Sequence, residues 1–238
     1  MRSILLLLAI VLPACAAAAE PPALHTKAVL IAADDSIVAF GNATTAMRAW
    51  LQRRGVKAGD IQLVGGRGPA ATVEATLGAI RGIRAGLGDA CLVYITGHGV
   101  ARSGIYLRGS DNTLGRDELD RALADGCGER PTVVVLSSCF SGYYLDGRLP
   151  RGNRIIITAA RRDRPSFGCG ATDRFTFFDD CVLRALADET VAIWRAAQAS
   201  AGACVVRREA QGGFVPSEPQ ISVGGEVAGM ALPVRPKS

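Results

Sequence analysis

Two residues in this sequence have the types and surroundings of a covalent catalyst. His98 lies at the end of the run LVYITGHG, and Cys139 lies in TVVVLSSCFSG. Each sits just past a short, nearly all-apolar run of the kind that forms a buried parallel strand. Two such strands in one sheet deliver an imidazole and a thiol to the same carboxyl edge, where open α/β sheets bind ligands. There the imidazole can take the thiol proton and later return it to a leaving group. Alone, His98 would read as a loop histidine and Cys139 as a core cysteine. The matched strand ends and the GHG context join them into one candidate site.

Chain order narrows the chemistry. The sequence holds two histidines, His25 and His98, and both precede Cys139. An α/β-hydrolase nucleophile comes before its histidine, and so does a papain-like cysteine. SSCFSG also lacks the N-terminal glycine of a nucleophile elbow. Histidine first and cysteine second is the caspase-like order. Gly99 adds a further part: without a side chain, its N–H can approach a substrate carbonyl closely. Paired with the N–H of Cys139 it would form an oxyanion hole, worth about 3–4 kcal/mol per donor.

The rest of the chain must position this pair. At 238 residues it is long enough for one α/β domain and short for two. A 49% hydrophobic content supports a sizeable core. The net charge of +5 comes from arginines scattered along the chain rather than from a basic block, which argues against a nucleic-acid groove. Strand and helix signals alternate, as in a parallel sheet covered on both faces. Strands are expected at Lys27–Ala33, Ile61–Val64, Cys91–Thr96, Thr132–Leu136 and Arg154–Thr158, with an edge strand at Gln220–Val223. Helices are expected at Asn42–Arg53 (stopped by Gly55), Ala70–Ala85, Arg116–Ala124 and Phe175–Ala187, and a small ribbon at Gly104–Gly109. Gly65, Gly66 and Gly68 read as a strand-to-helix turn. They lack the Lys-Ser/Thr of a P-loop.

The first residues carry a targeting pattern. Met1-Arg2-Ser3 is a positive start, Ile4 to Leu12 an apolar core, and Ala16 to Ala19 a small-residue cleavage site. This predicts a signal peptide over 1–19 and one domain over 20–238, working in the periplasm or outside the cell. The apolar core is short of the roughly 20 residues that span a bilayer, so no integral membrane span is expected. Leu12-Pro13-Ala14-Cys15 also resembles a lipobox, and a lipid anchor at Cys15 is the alternative. Outside the cytoplasm disulfides are permitted. Reserving Cys139 leaves Cys91, Cys127, Cys169, Cys181 and Cys204, hence at most two bridges and at least one free thiol. Cys91, opening an apolar strand, reads as a buried small hydrophobe. No Cys-x-x-Cys spacing occurs, so neither a metal nor another cofactor is expected.

The chain resembles the legumain family of cysteine peptidases, peptidase family C13, especially its small secreted bacterial members. The matching stretches are IAADDSIVAFGNA, LVYITGHG, VVVLSSCFSG, IIITAARRDRPSFGCG and TFFDDCVLRAL. The resemblance implies a caspase-like three-layer α/β/α sandwich with a mostly parallel central sheet, His98 as base and Cys139 as nucleophile. It puts Ser166 and Asp180 where legumains have a serine and an aspartate that grip a substrate asparagine. Ser137 stands where those enzymes have a glutamate, and Phe40 and Gly41 where they have an arginine. A pocket of Ser137, Ser166 and Asp180 therefore departs from an asparagine site. A carboxylate there without its arginine would favour a basic residue at the cut. The family also tends to orient its histidine with an upstream asparagine; Asn42 is the nearest, with helix N-capping as its competing role. Asp34 and Asp35, ending the first strand, are equally open.

The resulting expectation is a secreted cysteine endopeptidase that hydrolyses protein or peptide substrates through a thioester. Two alternatives share the sequence. One is a transamidase or ligase that passes the acyl group to an amine; the other is a non-catalytic caspase-like envelope protein that binds a partner.

Overall fold

The computed structural model describes residues 24–233. The expected signal peptide, Cys15 included, lies outside those residues. In chain order the elements begin with β1 (His25–Ala32), α1 (Val38–Arg53), β2 (Ile61–Val64), α2 (Val73–Arg81) and β3 (Asp89–Thr96). A small ribbon follows, made of β4 (Gly99–Val100), β5 (Gly104–Leu107) and β6 (Asn112–Leu114). Then come α3 (Arg116–Cys127), β7 (Thr132–Ser137), β8 (Arg154–Thr158), α4 (Phe177–Ala187), α5 (Trp194–Gly212) and β9 (Gln220–Val223).

The main sheet has the order β2-β1-β3-β7-β8-β9. Its first five strands are parallel, and β9 joins β8 antiparallel at the edge. Parallel strands are buried on both faces, which explains their continuous apolar sequences. Alternate residues feed two separate cores. Leu30, Leu92, Tyr94, Val133, Val135 and Ile157 pack against α1, α4 and α5. Val29, Ile31, Val93, Ile95, Val134 and Leu136 pack against α2 and α3. Each fully buried Val, Leu or Ile contributes about 1.5–3 kcal/mol. A one-residue slip would exchange the two faces, so the register is strongly specified. The result is a mostly parallel α/β/α sandwich.

The strand order reverses between β1 and β3, since the chain runs outward from β1 to β2 and returns through β3 to β7 and β8. At such a switch point the connections leave in opposite directions and open a crevice at the carboxyl edge. His98 lies on that edge.

Boundaries differ from the expected ones where local chemistry intervenes. α1 starts at Val38 rather than Asn42, because the chain turns directly out of β1 through Asp34, whose Oδ1 accepts from the Ser36 N–H and hydroxyl. α2 starts only after Thr72, whose hydroxyl accepts from the Ala75 N–H. Gly65 (φ +70) has the turn role expected of it, and a Cβ there would lie 1.9 Å from the Ala32 carbonyl oxygen.

α5 had no counterpart among the expected elements. Its buried stripe is Trp194, Ala197, Ala201, Val205 and Glu209, with two small alanines and one carboxylate, which gives little apolar periodicity. It is recruited by tertiary contacts. The Trp50 and Trp194 rings meet edge to face at 6.1 Å, and the Trp50 Nε1–H donates to the Leu186 carbonyl.

Two disulfides reinforce these layers: Cys91–Cys127 ties β3 to the end of α3, and Cys181–Cys204 ties α4 to α5. Cys91 is thus a bridge partner and not merely a small hydrophobe. Among the described residues Cys139 and Cys169 remain free. Removing the second bridge by Cys181→Ser with Cys204→Ser should lower stability by about 3 kcal/mol, through release of a loop of some two dozen residues. Urea unfolding under non-reducing conditions measures this, with equal midpoints for variant and parent as the contrary result.

Candidate active site

β3 and β7 are neighbours in perfect parallel register, with Thr96 opposite Ser137 as the last pair. The Gly97 N–H donates to the Ser137 carbonyl and carries the pairing one step further. His98 and Cys139 each follow two residues after that last pair. Both therefore leave the sheet at the same edge from adjacent strands. The approach is tight: a Cβ on Gly99 would lie 1.8 Å from the Cys139 carbonyl oxygen and 3.1 Å from its nitrogen. Only glycine lets the chain after His98 lie against the backbone of Cys139.

Gly99 faces Ile105 across the β4–β5 pair, and the Tyr106 N–H donates to the His98 carbonyl beside it. That pattern makes Gly99 and Ile105 a non-hydrogen-bonded pair, whose backbone groups point away from each other. Accordingly, the Ile105 N–H donates to the Tyr144 hydroxyl instead. The Gly99 N–H is left unused by this ladder, on the side away from β5.

Beyond Cys139 the chain turns sharply. Phe140 adopts the left-handed conformation (φ 57, ψ 14), a strain of about 1–2 kcal/mol for a residue with a Cβ. Hydrogen bonds from its surroundings hold it: the Phe140 N–H donates to the Arg164 carbonyl and the Gly142 N–H to the Ala160 carbonyl. The Ala160 N–H donates in turn to the Ser141 hydroxyl.

The segment after β8 reaches the thiol itself. The Ser166 N–H donates to Cys139 Sγ at 3.2 Å, and the thiol faces the Ser166 carbonyl at 3.3 Å. Ser166 thus meets Cys139 through its backbone. Three residues on, burial and then the nearby Cys139 push the Cys169 thiol above its ordinary range. Phe167, next to Ser166, clusters with Phe177 and the exposed Phe214.

The remaining expected pocket residues are placed differently. Asp180 is not an unpaired carboxylate: its Oδ2 accepts from Arg208 at 2.5 Å and from Arg184 at 3.0 Å. The guanidinium of Arg208 also lies over the Phe177 ring. The premise for a basic cut site, a carboxylate lacking its counter-charge, therefore falls. Ser137 is 2% exposed, and its hydroxyl lies 3.3 Å from that of Thr176.

Phe40, where legumains have an arginine, is buried and meets the His98 ring edge-on at 5.3 Å between centroids. Asn42 is inside α1 and caps nothing; its Nδ2 donates to the Arg174 carbonyl. Asp34 serves the turn after β1.

Four residues that the sequence reading passed over lie directly behind the strand ends. The Tyr94 and Thr96 hydroxyls both donate to Asp179, and the Asp179 N–H donates to the hydroxyl of Thr176, the residue that caps α4. Burial pushes the Asp179 carboxyl above the usual carboxylate range, opposed by the hydroxyls of Tyr94, Ser137, Thr96 and Thr176. A signal was present: Tyr94 and Thr96 are polar positions on a strand buried on both faces, and such groups require partners. No cluster of His, Cys, Asp or Glu suited to a metal ion occurs among the described residues.

A crystal structure of caspase-1 from Spodoptera frugiperda superposes with a TM-score of 0.61, covering 84% of this chain and 86% of that one at 14% identity. The fold is thus caspase-like. A sequence model of the peptidase C13 family matches residues 68–198, more than half of the chain and the span that includes His98 and Cys139. The protein belongs to the peptidase C13 family, and at that level it is a cysteine peptidase. Among curated proteins, none matches the sequence.

The close approach at Gly99 gives a direct test. Gly99→Ala must displace the Cys139 backbone and should slow alkylation of Cys139 by a peptidyl electrophile at least tenfold. Gly78→Ala is the control, since a Cβ there meets nothing within 4 Å and helix α2 should gain about 0.5–1 kcal/mol. Equal labelling rates for the two variants would contradict the packing argument.

Proposed function

We propose that the protein is a secreted cysteine endopeptidase in which His98 and Cys139 form the catalytic dyad. The observation that carries this reading is the register-matched pair of strand ends. Neighbouring strands lead His98 and Cys139 to one edge, and Gly99 lies against the backbone of Cys139.

Cys139 attacks the scissile carbonyl while His98 takes the thiol proton. Charge developing on the carbonyl oxygen is met by the N–H groups of Gly99 and Cys139. Collapse forms a thioester and expels the amine, which receives the proton from His98. Water, deprotonated by the same imidazole, then attacks the thioester carbonyl; the C–S bond breaks, the acid leaves, and the imidazolium returns its proton to the Cys139 sulfur. No step draws on a metal or another cofactor. The residues beyond the thiol, Ser166 and Phe167, supply the wall along which a peptide would lie.

Two disulfides in a small chain fit an oxidising compartment, in line with the leader pattern over 1–19. Mass analysis of the protein recovered outside the cytoplasm should give a mature N-terminus at Glu20. A diacylglyceryl group on Cys15 would establish the lipidated alternative instead, and a chain retained in the cytoplasm would refute secretion.

Labelling by a peptidyl electrophile tests the dyad. Wild type should be labelled, Cys139→Ala should not, and His98→Ala should react about 10²–10⁴-fold more slowly, the usual weight of a general base. An unlabelled wild type under conditions that keep Cys139 reduced would refute the enzyme. Peptide hydrolysis by the labelled protein supports an endopeptidase. Products joined to an added amine, without hydrolysis, would reassign it as a transferase.

A further inference from the structure

Asp179 is a fully buried carboxyl group, and the partners it accepts from are hydroxyls rather than cations. Tyr94 Oη donates to its Oδ1 at 2.5 Å and Thr96 Oγ1 to its Oδ2 at 2.7 Å. Its own N–H donates to Thr176 Oγ1 at 3.0 Å, and that hydroxyl lies 3.3 Å from Ser137 Oγ. All five residues are buried. Burying a carboxyl group is costly even when it is hydrogen-bonded, and well-packed apolar residues often serve stability as well or better. The position in the first turn of α4 offsets part of the cost, because the helix N-terminus favours negative charge.

What the group connects is specific. Thr96 and Ser137 are register partners and the last residues of β3 and β7. Each stands two residues before a member of the dyad. Thr96 reaches α4 through the Asp179 carboxyl, and Ser137 reaches it through the cap hydroxyl of Thr176. The two strand ends are thus fastened to one helix terminus where regular pairing gives way to the turns that carry His98 and Cys139. Catalytic groups lose about 10²-fold in rate when displaced by 1 Å, so the aim of these turns needs such a restraint.

We infer that Asp179 is a positioning residue: it clamps the ends of β3 and β7 to the start of α4 and so sets the separation and aim of the His98 imidazole and the Cys139 thiol. The inference rests on the dyad proposed above and deepens it.

The test uses the full chain with Thr96→Val, which keeps the shape but deletes one donor, Thr96→Ser, which restores the hydroxyl, and Asp179→Asn. Hydrolysis of a peptide substrate is measured per active site, with sites counted by titration with the peptidyl electrophile, and urea unfolding runs alongside. Thr96→Val and Asp179→Asn should lower kcat about 10–100-fold with KM within about threefold of wild type. Thr96→Ser should recover kcat to within about threefold. A purely structural role predicts lower stability and fewer titratable sites but wild-type kcat for each remaining site, and that result overturns the inference. If Asp179→Asn does not fold, the Thr96→Val and Thr96→Ser pair decides the matter. A wild type that is neither labelled by the peptidyl electrophile nor active on peptide would instead refute the dyad itself, which separates the two failures.

Discussion

The parallel register between β3 and β7 is the constraint on which the rest of the structure depends. Thr96 stands opposite Ser137, and the Gly97 N–H continues the ladder to the Ser137 carbonyl. Everything chemically interesting happens within the next two or three residues of each strand. That register is enforced from both faces, since Val93, Ile95, Val134 and Leu136 fill one core while Leu92, Tyr94, Val133 and Val135 fill the other. Sliding one strand by a residue would send each set to the wrong core and carry His98 away from Cys139.

Around that register the molecule accepts several local costs. Phe140 holds a left-handed backbone conformation, Gly99 gives up any side chain to the carbonyl of Cys139, and Asp179 buries a carboxyl group among hydroxyls. Each lies at the carboxyl edge, within a few residues of the thiol, the imidazole or the strand ends that carry them. Strain and buried polarity beside a thiol and an imidazole are frequent marks of a working site. The supporting elements are bound accordingly. α4, which carries Asp179, is joined to α5 by Cys181–Cys204, and its Asp180 is held from α5 by Arg208.

The residues at the positions of the legumain asparagine pocket have other partners in this fold. Phe40 brings a ring edge to His98 where legumains have an arginine, Asp180 already has two arginine partners, and Ser137 is turned inward toward Thr176. Beside Ser166 lies an aromatic cluster of Phe167, Phe177 and Phe214.

Much of this was legible from residue order. Apolar runs bounded by glycine, proline and polar residues located the strands of the main sheet, and the order of His98 and Cys139 pointed to the caspase-like arrangement, because period and composition act locally. Other features depended on which surfaces meet. α5 has a buried stripe interrupted by small alanines and a carboxylate, too weak to read, and it joins the core where Trp50 and α4 lie against it. The cysteine count bounded the number of bridges, but the pairing of Cys91 with Cys127 required the end of α3 to be brought back to β3. Asp179 and Asp180 are adjacent in the chain and alike in type. One is buried among hydroxyls and the other is paired with arginines, and only the rotation of α4 against the sheet separates them. Sequence alone determined which residues could do the chemistry. Tertiary structure decided which neighbours hold them, since contacts between distant segments follow from packing rather than from chain order.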